Sequence, residues 1–169
     1  MPQNTATFAI EDYDYPVNKK RSSSSVNIGP LTAANFTAKR AAVNTLEAAI
    51  QGLILGELRK TTISENFAIS SNPVSDPNAQ RGVKWLVTYR DDTQFLDVGN
   101  TINNVGFGNL YDLEIPCADP NLLANNDDTL DLAGTEAAAF VTAFEAIQNS
   151  PTGGNTCTVV SIRLVQRTL

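Results

Sequence analysis

The chain has 169 residues, which fits one domain, since globular domains usually run from about 100 to 200 residues. Apolar side chains make up 42% of it, enough for a core and too many for a wholly disordered chain. Its net charge of −6 comes with no histidine, which excludes Ser-His-Asp and Cys-His nucleophile systems and removes the commonest general base.

No apolar run approaches the about 20 residues that a membrane-spanning helix needs. The opening Met-Pro-Gln-Asn-Thr-Ala-Thr has neither the positive start nor the apolar stretch of a signal peptide, so synthesis and assembly in a cytoplasm are expected.

In chain order, residues 1–30 come first and differ from the rest. Short alternating pieces, Thr5 to Ile10 and Val26 to Ile28, are separated by Asp12-Tyr13-Asp14-Tyr15-Pro16 and by Lys19-Lys20-Arg21 with four serines after it. A stretch this polar makes no core of its own. Extended, it reaches on the order of 100 Å, so it reads either as an arm laid on a neighbouring molecule or as an N-terminal hairpin on the same domain.

Residues 31–169 read as one α+β domain. Thr32 can cap a first helix whose stripe is Phe36, Val43, Leu46, Ile50 and Leu53, and Gly56 suits its end. Leu58 to Ile69 alternates as a strand, residues 70–82 form a loop rich in turn formers, and Val83 to Arg90 is a strong strand with Val83, Trp85, Val87 and Tyr89 on one face. Gly99 to Asn109 reads as an exposed insertion, and Leu110 to Cys117 as a further strand that Pro116 ends or places at an edge. Thr135 to Gln148 gives a second helix with Phe140, Val141, Phe144 and Ile147 on one side, and Thr156 to Arg167 a last, β-branched strand. Two helices on one face of a mainly antiparallel sheet would bury both stripes, an order close to a ferredoxin-like plan.

Little in the chain points to catalysis. The glycines at 99–108 and 153–154 fit neither phosphate-cradling motif. Asp127, Asp128 and Asp131 form the one dense carboxylate cluster, which reads as a solvated loop or as a site for a hard cation such as Ca²⁺, a metal that takes about six to eight oxygen ligands. Cys117 and Cys157 lie in apolar stretches and read as two buried thiols, or as a disulfide should their strands be neighbours. Neither a cofactor nor a metal is expected.

Charge is unevenly distributed along the chain. Residues 91–150 hold eleven acidic side chains and no lysine or arginine, whereas residues 1–90 hold ten basic and seven acidic. If these segments map onto different faces, neighbouring copies attract head to tail. Lys19-Lys20-Arg21 is balanced by Glu11, Asp12 and Asp14, and three basic residues are too few for direct nucleic-acid binding.

Residues 76–90, Leu113-Glu-Ile-Pro-Cys-Ala-Asp-Pro120, Phe140 to Ile147 and the closing strand together resemble small proteins encoded in bacteriophage genomes that look like virion structural components, capsid decoration or cement subunits in particular. The resemblance covers about half the chain and carries no catalytic signature. It implies a non-enzymatic, homo-oligomeric subunit located in the virion, whose partners are a major capsid protein or copies of itself. A self-assembling coat, tail-tube or filament subunit, and a small-ligand or Ca²⁺-binding module, are the alternatives. Phe8, Ile10, Tyr13 and Tyr15 of the arm, and Phe107 of the insertion, are the expected contact residues, since aromatic anchors dominate interface energies.

Overall fold

The computed structural model describes residues 5–14, 19–30, 33–63, 66–72, 82–91, 109–123, 127–148 and 157–166. The fold is α+β, with two helices and seven strands among these residues. The strands are β1 (Thr5–Asp14), β2 (Lys19–Pro30), β3 (Glu57–Ile63), β4 (Asn66–Asn72), β5 (Val83–Asp91), β6 (Asn109–Pro116) and β7 (Cys157–Gln166). The helices are α1 (Phe36–Gln51) and α2 (Thr135–Gln148).

Helix α1 is alanine-rich and buries Lys39, Val43, Leu46 and Ile50, spaced by four, three and four residues so that they share one stripe. Its N-cap is Asn35 rather than the expected Thr32, which lies outside the described residues. The helix stops at Gln51 with Gly52 as C-cap, four residues short of Gly56. Gly56 has φ 89°, and it turns the chain into β3 through a conformation open to glycine and strained for other residues.

The link from α1 to β3 is held against the end of β6. Leu55 N–H donates to the Cys117 carbonyl at 2.8 Å, and the Leu53 carbonyl accepts both Asp119 N–H at 3.0 Å and the Trp85 indole N–H at 2.6 Å. The Ala118 N–H donates to the Val83 carbonyl at 2.8 Å, so the start of β5 belongs to the same junction. A buried indole needs a partner for its N–H, and here that need ties the helix end to the sheet.

The central sheet has the order β6-β5-β7, antiparallel throughout. Alternation along β5 turns Trp85, Val87 and Tyr89 inward, beside Leu113 and Ile115 of β6 and Val159 and Ile162 of β7. Against this face lies α2, whose Ala137, Phe140, Phe144 and Ile147 recur at three, four and three residues. Tyr89 meets the Phe144 ring edge-on at 5.0 Å and stacks on Tyr111 at 5.7 Å, while Phe140 and Phe144 stack at 5.5 Å.

A second sheet has the order β2-β1-β4-β3. The stretch expected as a single strand, Leu58 to Ile69, is in fact two antiparallel strands, β3 and β4, joined through residues 64–65. Ile63 faces Asn66, and the two residues between them, Ser64 and Glu65, include no glycine or proline, which is why the reversal gave no sequence signal. Residues 5–14 and 19–30 pair as two arms of a hairpin that joins this sheet, with β1 antiparallel to β2 and parallel to β4. The helix pair touches both sheets, α2 meeting β7 and β2 and α1 meeting β3, and one core cluster runs through all of them.

Strand β7 contains a bulge. Thr88 faces Ser161 while the next β5 residue, Tyr89, faces Val159, so Val160 is an extra residue without an opposite number. The bulge resets the alternation. Cys157, Val159 and Ile162 are all buried, whereas an unbroken period of two would have turned Ser161 and Arg163 inward and Ile162 out.

Candidate functional site

The expected anchors separate into two groups. Phe8 and Ile10 are 0% and 2% exposed and belong to the core cluster shared with the helices and the central sheet. In this conformation they stabilise their own chain and present no surface to a neighbour. The Tyr13 side chain, Tyr15 and Phe107 lie outside the described residues and side chains, and so does the insertion at 99–108.

The carboxylates before α2 build turns. Asp127 accepts the Thr129 N–H at 3.2 Å, and Asp131 accepts the Ala133 N–H at 3.0 Å. Each is an aspartate bonding its own backbone two residues on. Hydrogen bonds from Thr129 hold the exposed Asp127 carboxyl below its ordinary range. Asp128 has φ 59°, a left-handed conformation that aspartate tolerates better than most residues. Among the described residues no three carboxylates or thiols converge on a point where a metal could sit.

The two thiols are buried, far apart and not joined in a disulfide. Pro116, next to Cys117, faces Lys84 at one end of β5, and Cys157 faces Asp91 at the other. Seven residues of strand separate those rows, about 23 Å, against the roughly 7 Å limit between Cα atoms of a disulfide.

Two kinds of surface remain, strand edges and the outer face of the central sheet. The outer edge of β7 is closed: Leu130 N–H donates to the Ile162 carbonyl at 2.9 Å, Leu164 N–H to the Asp128 carbonyl at 2.7 Å, and Val159 N–H to the Glu145 carboxylate at 2.9 Å. Closing an edge in this way blocks indiscriminate pairing with other chains. On β6, Glu114 N–H donates to Ser24 Oγ of β2 at 3.0 Å. By contrast, among the described residues β3 pairs with β4 alone, at the margin of its sheet.

On the outer face of the central sheet, Leu110 is 62% and Val160 50% exposed. Leu110 has the parity opposite to Tyr111, Leu113 and Ile115, so alternation alone would have found it. Val160 was hidden by the bulge. The same face carries the Lys84–Glu114 ion pair at 3.5 Å and a hydrogen bond from Thr88 Oγ1 to Asp112 at 3.0 Å. Here the acidic segment lies directly beside the basic one, so the charge asymmetry of the sequence is not an asymmetry of faces in this sheet.

The chain matches no family model, no curated protein and no solved structure. The class that the fold defines is therefore an α+β protein with two helices against a mainly antiparallel sheet.

Proposed function

We propose that this chain is a structural subunit of a bacteriophage virion, a decoration or cement protein that binds the major capsid protein, and that its role is binding rather than catalysis. The observation that carries this reading is the contrast between strand edges. Three separate hydrogen bonds close β7, while the seven-residue β3 has no second strand beside it among the described residues. An extended segment of a coat subunit can add there, with backbone hydrogen bonds supplying affinity and side chains on alternate positions supplying selectivity. With Phe8 and Ile10 inside the core, the grip passes from the N-terminal hairpin to this edge.

The test is co-sedimentation of the purified chain with coat shells that lack it. The expected result is saturation at a fixed ratio to coat protein. Successive residues of an edge strand point their N–H groups to opposite sides, so Thr61→Pro and Thr62→Pro separate the two sides of β3. One of the two is expected to melt like the parent and lose binding. A chain left in the supernatant at all concentrations, or binding that survives both substitutions in folded protein, overturns the proposal.

A further inference from the structure

The outer face of the central sheet carries a pattern that its own mirror order complements. In the row through Leu86, Glu114 of β6 lies on one side and Arg163 of β7 on the other. In the row through Arg90, Leu110 of β6 lies on one side and Thr158 of β7 on the other, with the bulged Val160 next to Thr158. Reversing left and right exchanges Glu114 with Arg163 and brings Leu110 to the side of Val160.

A twofold axis parallel to β5, lying between two packed faces, performs that reversal. We infer that this face binds a second copy of the chain, with Leu110 against Val160 of the second copy and Glu114 opposite Arg163 of the second copy, each contact occurring twice. Leu86 then meets its own counterpart at the axis. The arrangement is isologous, so it closes at two copies. Two axial rows set like charges near each other, Arg90 and Lys84 each facing its counterpart. Both lie at ends of the sheet, where the roughly 30° angle between packed sheets draws the strands apart, and Lys84 is offset by its ion pair with Glu114 at 3.5 Å.

Neither contact needs a new conformation. Leu110, Val160 and Arg163 are exposed as they stand, and both apolar side chains lose water on pairing. Three strands of eight to ten residues span at most about 400 Å² per copy, with the end at Lys84 and Pro116 already buried. That is about half of a standard interface, so the dimer is weak in dilute solution, with dissociation constants of about 10 µM to 1 mM. The inference is independent of coat binding through β3, because it uses another sheet and needs no coat protein.

Sedimentation equilibrium of the full chain from about 10 µM to 1 mM tests it. A monomer–dimer equilibrium is expected. Arg163→Glu sets like charges opposite Glu114 and is expected to raise the dissociation constant about tenfold or more, and Leu110→Asp does the same by desolvating a charge against Val160. Arg40→Glu, on the exposed side of α1, changes the net charge equally and leaves the equilibrium unchanged. Thermal melting of each variant confirms that it is folded. A monomer throughout, or a dimer weakened no more by Arg163→Glu than by Arg40→Glu, overturns the inference.

Discussion

Deleting a residue from the middle of a buried strand normally inverts every side chain beyond it, and Val160 is the position where this chain should tolerate such a loss. Without Val160, β7 reads Cys157, Thr158, Val159, Ser161, Ile162, Arg163, which alternates regularly with Ile162 still inward and Arg163 still outward. The cost is then confined to lost local twist and one exposed valine, about 1 kcal/mol. The same operation on β5 has no bulge to absorb it. Removing Thr88 turns Tyr89 away from Phe144 and Tyr111 and brings Arg90 to the core side. Loss of a buried aromatic costs about 3–5 kcal/mol, and an unpaired inward charge adds to it, so most of the about 5–15 kcal/mol that stabilises a typical domain is removed. Urea unfolding, followed by fluorescence of the single tryptophan, Trp85, measures both. Unfolding of the Val160 deletion, or equal tolerance of the Thr88 deletion, refutes the reasoning.

Glu145→Ala leaves the buried Val159 N–H without its acceptor and is expected to cost about 1–3 kcal/mol in urea unfolding and to promote aggregation on heating, whereas Glu145→Gln keeps an acceptor oxygen and most of the stability. Lys39 donates to the Ile147 carbonyl at 2.9 Å near the C-terminus of α2, and burial lowers its pKa from 10.5. Between that lowered value and 10.5 the unfolded chain holds a proton that the folded chain has released, so stability rises with pH through this window. Lys39→Met should flatten the rise, which urea midpoints taken at increasing alkaline pH will show. Both thiols should resist an aromatic disulfide reagent in the folded protein and react, two per chain, after unfolding. Rapid reaction in the native state, or fewer than two thiols after unfolding, would contradict the placement of Cys117 and Cys157.

Elements whose period matches their surroundings were legible in the sequence. The bounds of α2 coincide with the expected Thr135 to Gln148, and β5, β6 and β7 fall within one or two residues of the expected strands, because each has one face buried and one exposed. What alternation cannot show was missed. The reversal between β3 and β4 passes Ser64 and Glu65 with no glycine or proline to mark it, and the extra residue in β7 is revealed only by the opposing strand. Three residues of 3-10 helix, Pro120–Leu122, held by the Asp119 carboxylate accepting Asn121 N–H at 3.0 Å, lie below the length at which periodicity has meaning. The surface residues were harder still. Phe8 and Ile10 drew attention as apolar residues in a polar segment, and the partner that covers them is distant in sequence. Glu145 carries no signal of its role, because nothing local says that a strand N–H will end beside it.

The parallel pairing of β1 with β4 also affects how the chain reaches its fold. Thr7 faces Asn66, so strands about sixty residues apart must meet before Phe8 and Ile10 are covered. During synthesis the hairpin emerges first and waits, its two apolar side chains wet, until α1 and β3 have left the ribosome and β4 follows. Closure of that long loop should be a late and comparatively slow event, and for its duration the nascent chain is open to capture by chaperones or by a second nascent copy.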